Sequence, residues 1–408
     1  MQPPSVSARI EAFHTALPQD KVRLKYGLMA ENAYRFFRGT CHLFYEDLSN
    51  RSYFPHRSPQ VWGCGDLHLE NFGSYKASNR YVYFDQNDFD EAVLLPATWE
   101  LVRVVTSILV AFKSLSVKEE KVMAWARFFL NTYCKTLRSG KAKHIEARLA
   151  KGIVRSFLEQ AGRRKEKELL QNQTAKNKKS CSLVVDNEKR LALKPETKKT
   201  LLAHMADWLT NSTDKALRKC NVVDACQRMA GTGSVGVKRF LLLVESEEAQ
   251  HHFLLLDMKE ARPSSLVTYN PLPQPQWLSE AERIVAIQSR SQYATTAHLS
   301  TVVFDGVAYT IQELQPEEDK LDFTVVVRHE KDVLRVMKDM ALLTASAQLR
   351  SAGRQGSAIA DDLIAFGNDP EWQQQLTQYA IDYAAQVDVD YRSFLHDYQN
   401  GFFERKKI

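Results

Sequence analysis

Hydrophobic periodicity switches in blocks along this chain of 408 residues, and the order of the blocks limits what it can fold into. Apolar residues recur at helical spacing through 22–44, inside a helical stretch over 5–50. Residues 60–92 turn to short strand-like runs at 61–64, 72–76 and 81–84, divided by Gly73 and the turn-like Ala77-Ser78-Asn79. Residues 97–160 return to helix, with Leu101, Val104, Val105, Ile108, Leu109 and Phe112 as a core stripe. Residues 222–268 are strand-rich, with runs at 237–245 and 252–258. A helix over 278–293 opens at Ser279 with Glu280 and Glu282 in its first turn. Runs at 301–304 and 308–314 flank Asp305-Gly306, a hairpin signal. The remainder, 329–404, is helical with a loop near 351–357, and the expected class is α+β.

The length suits two to three domains, or one two-lobed enzyme with an insertion. Much of the net charge of +6 comes from the basic stretch 163–199, which reads as a solvated, partly disordered insertion. That stretch lacks interleaved aromatics, so nucleic acid is not an expected partner. The six cysteines form no C-x-x-C pair, and free thiols in a reducing compartment are expected. The N-terminus lacks a basic segment followed by an apolar run. No stretch approaches the roughly 18 apolar residues of a spanning helix. Residues 101–112, for example, are interrupted by Arg103, Thr106 and Ser107. A cytoplasmic protein without a membrane partner is expected.

The strand block 60–92 carries the first candidate site. Gly63-Cys64-Gly65-Asp66-Leu67-His68-Leu69-Glu70-Asn71 precedes Phe84-Asp85-Gln86-Asn87-Asp88-Phe89-Asp90-Glu91. Asp66, Glu70, Asp85, Asp88, Asp90 and Glu91 are potential metal ligands or proton acceptors, and apolar flanks should bring them together at a strand edge. Asp66 and Asn71 stand five apart, which resembles the H-G-D-x-x-x-x-N loop of aminoglycoside-phosphotransferase-like kinases, with Cys64 in place of the His. The resemblance implies Asp66 as base and Asn71 as a Mg²⁺ ligand. The second metal Asp is Asp85, which directly follows the run 81–84, or Asp88, which opens Asp88-Phe89-Asp90; strand position favours Asp85 and both stay open. The chemistry accounts for the residue types, because phosphoryl transfer needs positioned Mg²⁺ and an Asp to orient and deprotonate the acceptor hydroxyl. His68 reads as a loop brace, and Arg38 as a buried partner of a loop acid. D-x-H also opens the metal-dependent phosphoesterase pattern, whose later G-N-H element is absent here. That is the alternative reading. A third is a catalytically inactive nucleotide-binding protein.

The second candidate site begins with Gly231-Thr232-Gly233-Ser234-Val235-Gly236, followed by a strand-like run rather than the helix of a dinucleotide fold. Strand, glycines, strand resembles the phosphate-covering hairpin of a kinase small lobe. Lys259 then sits near the end of the next strand, as the Lys of V-A-I-K does, and implies a clamp on the α- and β-phosphates of ATP. Glu282 is the first expected partner of Lys259, Glu280 the second and Gln288 a neutral alternative. Glu313-Leu314-Gln315-Pro316 resembles a strand entering a hinge that receives the adenine.

In ordinary kinases the glycine loop comes first; here it follows the catalytic loop, which implies circular permutation. The stretches Phe36-Phe37-Arg38-Gly39, 65–73, 84–91, Gly233-Ser234-Val235-Gly236, Lys259-Glu260-Ala261 and 313–316 also resemble the bacterial family named domain of unknown function 2252. Near the end that family carries A-H-A-R where this chain has Ala347-Gln348-Leu349-Arg350. The resemblances imply a two-lobed, kinase-like fold with a mostly helical large lobe over 1–220 and 317–408 and a small lobe over 221–316. They also imply ATP- and Mg²⁺-dependent transfer to a hydroxyl of a small molecule.

Overall fold

The computed structural model describes every residue except 1–3, 52–57, 164–165, 177–180, 187, 230–235, 248, 250–251, 316–319, 370 and 405–408. Four long helices, Ala97–Ser114, Glu119–Arg138, Glu330–Ser351 and Glu371–Gln399, share one apolar core with the N-terminal helices Gln19–Met29, Ala33–Gly39 and Cys41–Ser49. The helix Ala97–Ser114 is buried on all sides as far as Phe112, which is why its sequence is apolar nearly throughout rather than along one stripe. Against this core lie two small antiparallel units. The strand Gln60–Gly63 pairs with Val93–Pro96, and Phe72–Lys76 pairs with Val82–Gln86.

The later strands form a six-stranded antiparallel sheet in the order Ser300–Phe304, Val307–Glu313, Phe253–Glu260, Arg239–Ser246, Cys220–Arg228, Arg190–Leu191. Side chains alternate between its faces. Leu242, Val244, Leu256, Met258 and Ile311 face the helix Pro195–Thr210 and bury Leu201, Met205 and Leu209. The opposite face presents Leu241, Leu243 and Leu255. By the register Leu241↔Asp257 and Arg239↔Lys259 it also presents Arg239, Asp257 and Lys259.

Local signals act as the sequence suggests. Asp305 and Gly306 take φ of 52° and 70°, the left-handed pair of a tight hairpin. Ser279 accepts a hydrogen bond from the Glu282 N–H at the start of the helix Glu280–Ser291. The stretch 163–199 departs from expectation: it holds the helix Glu166–Gln173, the strands Thr174–Lys176 and Cys181–Leu183, and the edge strand Arg190–Leu191 of the large sheet. Leu170, Cys181 and Leu183 between its charges are apolar enough to be buried on the sheet, so the stretch covers that face instead of standing away from it. All six cysteines are free and buried. Among the described residues no helix is long and apolar enough to cross a membrane.

Candidate active site

Asp66 sits on the loop that follows Gln60–Gly63, and the backbone there is held from three sides. Glu100, in the first turn of Ala97–Ser114, accepts the N–H groups of Cys64 at 3.0 Å and Gly65 at 3.1 Å, one on each carboxylate oxygen. The Tyr45 hydroxyl donates to the Gly65 carbonyl. Gly65 itself takes φ of +79° with the Glu91 carbonyl directly behind it. The Asp66 carboxylate is then fixed by Arg103, whose Nε and Nη2 both donate to Oδ1, at 3.0 and 2.8 Å. Arg103 is fully buried, donates also to the Phe37 carbonyl, and lies 3.7 Å over the Phe37 ring. The second carboxylate oxygen, Oδ2, lies 3.9 Å from His68 Nε2. In the sequence Arg103 is visible only as an interruption of an apolar helix. That is a usable signal, since a buried guanidinium requires a carboxylate.

His68 is neutral, because burial, with Arg38 and Arg103 nearby, pushes its imidazole well below the usual range. Its Nε2 accepts from Arg38 Nε at 3.3 Å, and Arg38 pairs with Glu70 as well. Asn71 joins the two acidic segments. Its Nδ2 donates to the carbonyls of Asp66 and Asp88, both at 3.1 Å, and its Oδ1 accepts the N–H groups of Asp88 at 2.9 Å and Asn87 at 3.3 Å.

The two candidate metal aspartates part company. The strand Val82–Gln86 runs past residue 84, so Asp85 is a strand residue with its direction set by the pleat. It is 2 % exposed, and its Oδ2 lies 3.3 Å from Arg350 Nη2. Burial raises its carboxyl to about 6, with Arg350 pulling the other way. Asp88 and Asp90 lie beyond the strand, and it is they that meet Lys259. The ammonium is 3.9 Å from Asp88 Oδ1 and forms an ion pair with Asp90. Burial acts to lower the Lys259 pKa, but Asp88 and Asp90 outweigh it and raise it. Beside Lys259, Asp257 is held by Arg239 Nε at 2.7 Å and Arg228 Nη1 at 3.2 Å. The lysine strand and the early acidic loop, about 170 residues apart in the chain, therefore face each other.

The expected pairing of Lys259 with Glu282 is not made. Glu282 Oε2 accepts the N–H of Leu278, the residue before the N-cap Ser279, at 2.7 Å, Ser279 accepts the Glu282 N–H, and Glu280 pairs with Arg283. Gln288 bonds to Thr296 and Gln292. The helix-start signal and the lysine-partner role compete for the same carboxylate, and the cap takes it. Asp90, which the sequence offers only as one of several acids, stands there instead. Gly231, Gly233 and Ser234 lie outside the described residues. Gly236 is described at φ of +95°, and its carbonyl accepts from Arg262 at 2.9 Å. Glu313 forms an ion pair with Arg80 at 2.6 Å. Glu313, Leu314, Gln315, Leu255 and Arg228 line an open cavity of about 1570 Å³. This cavity reaches the lysine side of the sheet through Arg228 and Asp257. Among the described residues no group of three or more His, Cys, Asp or Glu side chains is disposed to hold a metal ion by itself.

Burial raises the Glu100 carboxyl to about 7, against the lowering pull of its bonds to Cys64 and Gly65. Between about pH 4.5 and about 7 the folded chain keeps a proton that the unfolded chain has released. Stability should therefore fall as pH rises through that window, by up to about 3 kcal/mol from this group. Urea unfolding on either side of the window should show this fall, and Glu100→Gln should show a shallower one. The same variant should lose about 1–3 kcal/mol at low pH, because an amide N–H₂ would face one of the two loop N–H groups. Identical pH slopes in the two proteins would mean that Glu100 does not titrate in this window.

The molecule is a mixed α/β protein with antiparallel sheets, in which an early acidic loop meets a late lysine-bearing sheet. The chain belongs to the bacterial family DUF2252, described as uncharacterized protein conserved in bacteria, whose model matches residues 18–397. No curated protein and no solved structure matches it.

Proposed function

We infer that this protein is an ATP- and Mg²⁺-dependent phosphotransferase with a kinase-like, two-lobed architecture in circularly permuted order, acting on a hydroxyl of a small molecule. The observation that carries the reading is the contact of Lys259 with Asp88 and Asp90: two motif blocks in reversed order converge on one place. In this reading Asp66 is the base. Arg103 on Oδ1 aims it, and Oδ2 takes the proton of the acceptor hydroxyl. The acceptor oxygen bonds to the γ-phosphorus, the bond from that phosphorus to the β,γ-bridging oxygen breaks, and ADP departs. Lys259 holds the phosphates from a rigid strand. Bound Mg²⁺ supplies neutralisation of the phosphate oxygens. It would be held through one or two carboxylates, which suits a site with few protein donors. Asp88, more than half exposed and next to Lys259, fits that part better than Asp85, which is engaged with Arg350. Asn71 sets the distance between base loop and metal loop. The cavity beside Glu313–Gln315 is of a size to receive the nucleoside. The phosphoesterase reading asks His68 to bind metal, whereas its Nε2 is engaged by Arg38.

Thermal unfolding with Mg²⁺ and ATP tests the reading. Ligand at about 100 times its Kd should add about 2.7 kcal/mol, a rise of several degrees in Tm. Absence of any shift at millimolar Mg·ATP would end it. A shift with metal alone, accompanied by hydrolysis of phosphate esters, would favour the phosphoesterase.

A further inference from the structure

Lys25 is a buried cation that the reading above does not use. It lies on the helix Gln19–Met29, is 8 % exposed, and makes no hydrogen bond or ion pair with any described residue. Its electrostatic neighbours are Glu91 and Asp66, with Arg262 and the Cys41 thiol. Burial lowers its pKa to about 8, with the two carboxylates opposing that fall. An ammonium at this depth without a bonded partner is costly unless an anion completes it.

The same helix, with Leu17 just before it, lies against the described residues on both sides of 230–235. Lys21 Nζ is 3.6 Å from Met229 Sδ, and Gly236 packs against Leu17 and Lys21. Lys25 lies one helical turn on from Lys21 and on the same face, buried where the Glu91 and Asp66 carboxylates act on its charge. The helix thus carries one lysine beside the strands that flank the glycine-rich segment and a second, buried one in the field of the Asp66 and Glu91 carboxylates. In the phosphotransferase reading the phosphorus to be transferred has to lie between the glycine-rich segment and Asp66.

We propose that Lys25 binds the terminal phosphoryl group of the bound nucleoside triphosphate, as a second cation opposite Lys259. The proposal rests on the phosphotransferase reading. In this assignment Lys259 takes the inner phosphates and Lys25 the outer one. Each cation then sees a different part of the ligand. A diphosphate should not sense Lys25, and a triphosphate should.

Calorimetric titration of the full chain with Mg²⁺ and either ADP or the β,γ-imido analogue of ATP separates the two. Wild type should bind the triphosphate at least about tenfold more tightly than ADP, an increment within that of one charge-assisted contact. Lys25→Met should lose that preference while its ADP affinity stays within about twofold. Lys21→Met, one turn away at the rim, should keep it. Lys25→Met removes no partner from the fold, so its unliganded Tm should not fall. Should methionine prevent folding, Lys25→Gln serves the same comparison. A triphosphate preference retained without Lys25 would overturn this assignment and leave the phosphotransferase reading standing. Failure of wild type to bind either nucleotide would overturn both.

Discussion

Replacement of Lys259 by methionine should remove the Mg·ATP-dependent rise in Tm and lower phosphotransfer by about 10²–10³-fold, the usual cost of losing one preorganised charge at a reacting phosphate. The structural cost should be small by comparison. Asp88 and Asp90 are the carboxylates left behind; their side chains are 57 % and 37 % exposed, so water can solvate them. About 1 kcal/mol is expected for a pair of this kind. Arg239 and Asp257 keep their own pairing next door. Function and fold therefore separate at this position. Lys259→Arg should recover only part of the activity, because a planar fork does not reproduce a compact ammonium at the end of a strand. Nucleotide-dependent stabilisation and turnover left intact in Lys259→Met would show that the lysine strand and the acidic loop do not form one site.

Gly65→Ala should be strongly destabilising. Two effects add. A residue with a Cβ at φ of +79° costs about 1–2 kcal/mol. The new Cβ would also fall inside the van der Waals shell of the Glu91 carbonyl oxygen, which is backbone and is held near Ser264. Together the expected loss is about 4 kcal/mol or more, in the range reserved for disrupted backbone sites. Gly306→Ala is the internal comparison. It has φ of +70° and open space around the added carbon, so only the conformational part applies, about 1–2 kcal/mol. Chemical denaturation of both variants distinguishes the effects. Equal losses would mean that the loop before Asp66 is not packed against Glu91 as described.

Much of the secondary structure was legible because it is written over a few neighbouring residues. The hairpin at Asp305-Gly306, the cap at Ser279, the helices after 329 and the antiparallel pairing of the strands on either side of the glycine-rich segment all follow from local spacing. The basic stretch 163–199 reads as solvated for the complementary reason: its charges dominate the composition, while three apolar side chains decide that it lies on the sheet.

The acids and the lysine were recognisable as residue types, but their partners were not. Whether Asp85 or Asp88 stands near Lys259 depends on where a strand ends, since each further residue in the pleat reverses the side chain. Extension of that strand to Gln86 commits Asp85 to Arg350, 265 positions away. Order along the chain points Glu282 to Lys259, but the backbone N–H of Leu278, just ahead of its own helix, claims it.

From the sequence alone came the alternation of helix and strand and the two chemically rich blocks, because periodicity and turn chemistry act between near neighbours. Only the folded molecule decided that Arg103 steadies Asp66, that Asp90 and Asp88 receive Lys259, and that Lys25 remains without a bonded partner among the described residues. Such contacts join distant segments through the packing of a common core, and no short stretch of sequence contains both sides of the pair.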